Sequence, residues 1–125
     1  MRRFLLAKIF SIMIATAAAS DTVTFHFYGA EDCPPCMAFK RNNLADVQAQ
    51  GASIGFVVED NVIPKTQDVP TEGVYGDRDA ILRSAAPQLE VIYPPIFFVS
   101  AANKIVSVHG HDWASALTAA IEEAD

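Results

Sequence analysis

Basic residues are scarce in this sequence, and cysteines are scarcer. The 125 residues hold 9 lysines and arginines against 15 aspartates and glutamates, a net charge of −6. Nucleic acids and anionic membrane surfaces bind through cationic groups, so the balance argues against both as partners. There are only two cysteines, Cys33 and Cys36, so any cysteine chemistry is that of one pair. The three histidines, His26, His109 and His111, fit no common metal-ligand spacing, and no metal site is expected. No repeat or low-complexity tract follows the N-terminal segment. Long apolar runs are lacking too. Residues 9–19 are apolar, but a membrane span needs about 20 such residues, and Lys8 cuts this one short.

That stretch has a different meaning. Arg2, Arg3 and Lys8 precede it, and Ala17-Ala18-Ala19 closes it with small residues. The pattern predicts a secretory signal peptide over residues 1–19, an uncleaved anchor being the alternative. The expected location is the periplasm or the cell exterior, where a disulfide persists. Without those three cations the chain carries 6 basic and 15 acidic residues, net −9. Residues 20–125 suffice for one domain with a real core, and not for two.

Residues 23–28 are β-branched and aromatic and predict a strand ended by Gly29. Cys33-Pro34-Pro35-Cys36 follows, and proline suits the first helical position. Met37, Leu44 and Val47 then recur as on one helical face, with Gly51 as the predicted stop. Ile54, Phe56 and Val58 alternate, predicting a strand that ends at Glu59-Asp60. Residues 61–76 hold Pro64, Pro70, Gly73 and Gly76 and read as a long surface loop without a chemical signature. Residues 77–86 predict a short helix with Asp77 as cap, ended by Pro87. The apolar run 93–99 predicts a strand buried on both faces. Ala102-Asn103 reads as a turn and residues 104–109 as the hairpin partner. After Gly110, Asp112 caps a last helix with Trp113, Leu117, Ala120 and Ile121 facing inward. The order β-α-β-α-β-β-α predicts a central mixed four-stranded sheet flanked by helices.

A CxxC at a strand-to-helix junction suits reversible disulfide formation. Helix N-terminal N–H groups favour a thiolate on the first sulfur. Pro34 and Pro35 remove two of those donors and leave the Cys36 N–H, which predicts a less stabilised thiolate and a weaker oxidant. A purely structural bridge over so short a loop would restrict the unfolded chain little.

With these features the chain resembles the thioredoxin-fold proteins over nearly all of residues 20–125. Cys33-Pro34-Pro35-Cys36 lies at the first strand-to-helix turn, as in that family. Pro94 or Pro95 stands before the third strand, where the family has a cis-proline. Gly110 separates the last strand from the last helix. The CPPC form is similar to that of exported reductive members, the TlpA/ResA-like proteins. Two departures stand out. Glu31-Asp32 replaces the usual tryptophan before the first cysteine. Phe27 falls where many members have a buried aspartate that accepts a proton, while His26 should face the other side of its strand. Glu31 or Asp32 is a possible substitute acceptor, yet a carboxylate beside a thiol disfavours its thiolate.

The resemblance implies a thiol:disulfide oxidoreductase, reductive rather than oxidative or isomerising, since there is no room for the added domains of those classes. Cys33 is then the nucleophile and Cys36 the more buried resolving thiol. Tyr93, Pro94 and Pro95 are the expected substrate-binding residues. Pro94 is favoured as the cis residue because Tyr93, before it, has an N–H to pair with an extended peptide. The implied partners are proteins with a disulfide or dithiol, fed by a membrane electron donor. No cofactor beyond the cysteine pair is expected, and the protein is expected to be a monomer. The alternative is a non-enzymatic thioredoxin-fold binding module, or a copper carrier using Cys33 and Cys36.

Overall fold

The computed structural model describes residues 22–125, so the predicted signal segment lies outside the described residues. Strand β1 (Val23–Ala30) leads into helices α1 (Pro34–Asn42) and α2 (Leu44–Ile54). Strand β2 (Phe56–Ile63) follows, then 3-10 turns at Thr66–Asp68 and Gly76–Arg78 and helix α3 (Asp79–Ala85). A 3-10 turn at Ala86–Gln88 precedes the hairpin of β3 (Ile96–Ala101) and β4 (Lys104–Gly110), and α4 (Trp113–Ala124) closes the chain. The sheet order is β2-β1-β3-β4. β1 runs parallel to β2 and antiparallel to β3, and β3 and β4 are antiparallel. The expected mixed sheet is present.

Strand periodicity sorts β1 into two faces. Phe25 and Phe27 point one way and form an aromatic cluster with Phe97 of β3 and Phe39 of α1, at centroid separations of 4.8–6.3 Å. Trp113 of α4 joins it through Phe39. His26 and Tyr28 point the other way and stack on Phe98. There the Tyr28 hydroxyl donates to the Arg78 carbonyl ahead of α3. Residues 96–100 are buried throughout, as an apolar strand covered on both sides should be. Two residues of positive φ, Ala102 and Asn103, turn β3 into β4, the geometry of a tight hairpin.

Several boundaries differ from the sequence reading. The predicted first helix is two, broken at Asn43, whose φ of −130° leaves the helical region. Gly51 does not stop the second. It lies inside α2, and Gly55, at φ 117°, ends it. Ile54 is therefore the last residue of a helix and not the first of a strand, and it is exposed. Strand β2 continues past Glu59-Asp60 to Ile63. The short helix starts at Asp79 rather than Asp77. The third strand starts at Ile96 rather than Tyr93.

Gly51 is there for space. A Cβ on it would stand 2.5 Å from the Phe56 carbonyl oxygen and 3.1 Å from the Phe56 ring. That oxygen is backbone at the start of β2 and cannot swing away. Alanine is the better helix former by about 1 kcal/mol. Overpacking against backbone outweighs that gain, and Gly51→Ala is expected to lose about 2 kcal/mol in urea denaturation. Unchanged stability would show that the α2–β2 junction shifts freely.

Candidate active site

The site forms where β1 runs out. Ala30 ends the strand, Glu31 and Asp32 turn the chain, and Cys33 becomes the N-cap of α1. Its backbone is extended (φ −109°, ψ 104°), and its Sγ accepts the Cys36 N–H at 3.3 Å. Pro34 and Pro35 occupy the first two helical positions, where a missing N–H costs nothing. Both prolines are exposed. The Met37 N–H closes the first turn on the Cys33 carbonyl at 3.0 Å. Cys33 and Cys36 are joined by a disulfide, with Cα atoms 5.2 Å apart.

Cys33 is less open than a helix terminus suggests. It keeps 5% of its surface, and Cys36 keeps none. Both cysteines are buried, and the little exposed surface of the pair belongs to Cys33. The ground beneath is apolar. A Cβ on Gly29 would stand 2.7 Å from the tip of the Phe27 ring and 3.1 Å from the Cys36 Cβ, so ring and cysteine share one small space that only glycine leaves free. Phe27, and no carboxylate, borders this space beside Cys36. His26 lies on the opposite face, where its Nε2 is 2.8 Å from Ser100 Oγ.

The turn is held from the loop after β2. Asp32 Oδ1 accepts both the N–H and the hydroxyl of Thr66, each at 2.7 Å. The Thr66 hydroxyl, then its N–H, hold the Asp32 carboxyl below the usual carboxylate range. The Glu31 N–H donates to the Ile63 carbonyl at 2.8 Å, and the Tyr75 hydroxyl to the Gly29 carbonyl at 2.8 Å. That loop is itself organised by Asp79, which is buried. Its carboxylate accepts the Gly73 and Tyr75 N–H groups and two bonds from Arg83. Arg83 also donates to the carbonyls of Val69 and Thr71. Residues 61–76, which read as a loop without a signature, thus hold the turn that carries the cysteine pair. No local pattern revealed this, because Thr66 and Asp32 are 34 residues apart.

Of the two prolines before β3, the cis bond is Pro94–Pro95. This corrects the preference for Pro94. Strand β3 begins at Ile96, so Pro95, not Pro94, abuts it. Its predecessor Pro94 is buried and has no N–H to offer a peptide. Tyr93, one residue further back, is 55% exposed. It lines a cavity of about 490 Å³ with Val91, Val108, Gly110 and His111. His109 also borders that cavity, and its Nε2 is 2.8 Å from Ser107 Oγ. Among the described residues no three His, Cys, Asp or Glu side chains gather as a metal set. No helix among them is long and apolar enough to cross a membrane.

No family model matches this sequence, and no curated protein matches it either. Solved structures do. The germline-specific thioredoxin Deadhead of Drosophila melanogaster aligns over 92% of this chain and 92% of its own, at 16% identity and a TM-score of 0.51. Thioredoxin f from spinach chloroplast aligns over 86% of this chain and 80% of its own, at 18% identity and a TM-score of 0.47. The α/β chain with its four-stranded mixed sheet thus has the thioredoxin fold.

Proposed function

We propose that this protein is an exported thiol:disulfide oxidoreductase that works mainly as a reductase of protein disulfides. The observation that carries the reading is the unequal pair. Cys33 caps a helix, takes a hydrogen bond from the Cys36 N–H and keeps the only exposure, while Cys36 lies sealed one turn inside.

In the reduced protein the Cys33 thiolate attacks one sulfur of a client disulfide. A Cys33–client disulfide forms, and the second client sulfur leaves as a thiolate and takes up a proton. Cys36 then loses its proton and attacks the Cys33 sulfur. The Cys33–Cys36 bond forms, the first client sulfur leaves, and two electrons have passed to the client. A dithiol reductant, here a membrane electron donor, must reopen the pair. The apolar floor of Phe27 disfavours a Cys36 thiolate, so Cys36 stays protonated until the mixed disulfide is in place. Pro34 and Pro35 supply no N–H to the Cys33 thiolate, which favours the disulfide form and suits a donor of electrons. Tyr93 is the exposed face against which a client segment lies, with the buried Pro94 and Pro95 behind it. Pro94 and Pro95 lack N–H groups, so the exposed Tyr93 ring is the main contact. The protein acts as a monomer, with no other cofactor and no metal.

Insulin reduction tests the reading. With dithiothreitol as electron source, the purified protein is expected to precipitate insulin B chains at least tenfold faster than dithiothreitol alone. Iodoacetamide is expected to label Cys33 before Cys36 once the pair is open. A reduced protein that neither takes up the label nor speeds insulin reduction would leave an inert scaffold.

A further inference from the structure

The two carboxylates before Cys33 are both exposed, and the fold fixes one of them. Asp32 is pinned by Thr66 through two bonds to the same oxygen, Oδ1. Thr66 opens the 3-10 turn Thr66–Asp68, so the loop after β2 sets where this carboxylate stands. The Thr66 hydrogen bonds favour the ionised form of the Asp32 carboxyl and hold it below the usual carboxylate range. It stays a charge. Lys65, beside Thr66, is the cation that acts on it, and Glu31 adds a second anion in the same turn. Asp32 directly precedes Cys33, so its charge stands at the lip of the reactive turn.

We infer that Asp32 is a specificity-determining residue of the exchange, favouring client segments that carry lysine or arginine beside the target disulfide. The inference rests on the thiol-exchange reading above. A client sulfur must reach bonding distance of Cys33. Its flanking residues then lie within a Debye length, about 8 Å in physiological salt, of the neighbouring Asp32. A unit charge at roughly 6 Å in water-like surroundings changes a rate about threefold. A cationic neighbour gains that factor and an anionic one loses it. The two together make about a tenfold preference.

The test uses the reduced protein and two disulfide peptides that differ only in arginine or glutamate beside the cysteine. Rate constants are measured in low salt and in 0.5 M salt. Wild type is expected to reduce the arginine peptide about tenfold faster in low salt, with the preference shrinking in high salt. Asp32→Asn keeps an oxygen for Thr66 and removes only the charge, and it is expected to cut the ratio to threefold or less. A change in Cys33 reactivity multiplies both rates and cancels in the ratio. Thr66→Ala keeps the Asp32 charge and is expected to keep the preference within twofold. A wild-type ratio near one, an unchanged ratio in Asp32→Asn, or a collapse in Thr66→Ala would overturn the inference. Failure of wild type with both peptides would instead overturn the thiol-exchange reading.

Discussion

Cys33→Ser is expected to bring disulfide exchange down to the level of buffer, and Cys36→Ser to stop it at the mixed disulfide. The asymmetry follows from burial. With Cys33 gone, the one remaining thiol is Cys36, which keeps none of its surface and shares its space with Phe27. A client disulfide cannot reach it, and the apolar surroundings suppress its thiolate. Nor would the loss reflect unfolding. Serine is a strong N-cap, and its hydroxyl takes the place of Cys33 Sγ as acceptor of the Cys36 N–H. In Cys36→Ser the attacking sulfur survives and the first step proceeds. The second step loses its intramolecular thiol, whose advantage over a free thiol is several orders of magnitude. Insulin turnover should fall at least a hundredfold in both variants. Non-reducing gels should show client adducts for Cys36→Ser alone. Adducts on Cys33→Ser instead would reverse the two roles.

Acid is expected to destabilise the fold by up to about 3 kcal/mol between pH 6.5 and pH 4, through His26. The imidazole is buried between aromatic neighbours, 4.5 Å from Phe98 and 6.2 Å from Tyr28 by ring centroids. Its Nε2 has Ser100, but its Nδ1 has no hydrogen-bond partner. A proton on both nitrogens would leave a buried N–H unpaired beside a positive charge that the core cannot solvate. Burial first, and the Arg78 charge second, lower the His26 pKa from 6.5 to about 4. Between those values the unfolded chain binds a proton that the folded chain refuses. Stability is therefore full above pH 6.5 and declines as pH falls towards 4. His109 is also lowered by burial and adds to the slope in the same direction. The lowered carboxyls of Asp32, Asp79 and Asp112 act in a different window. Their stabilisation is present above 3.8 and is lost as pH falls below it. Urea denaturation from pH 4 to 7 checks the effect. His26→Phe keeps the aromatic stack and should lose most of the slope. A slope equal to that of wild type would clear His26 of the role.

Much of this molecule is written locally. The β-branched and aromatic run of β1, the run of Ile96 to Val99, the Asp112 cap and the Trp113 stripe reappear in the structure. Each of these depends on residues only a few places apart. The same holds for the Cys33-Pro34-Pro35-Cys36 turn, whose spacing alone closes a disulfide and places the first sulfur at a helix terminus. Gly51 misled because a glycine near a helix end looks like a stop until Phe56 is seen against it. Pro94 and Pro95 could not be told apart by their own residues, because the start of β3 decides which one meets the strand.

The strand order along the chain, the flanked mixed sheet and the Cys33–Cys36 pair follow from periodicity and spacing, whereas the break of the first helix at Asn43 does not. What surrounds that pair comes from the fold. The space above Gly29 that Phe27 and Cys36 both border, the Thr66 donors on Asp32 and the lone Nδ1 of His26 depend on distant segments or on burial. Packing in three dimensions selects them from many arrangements that the same local pattern allows.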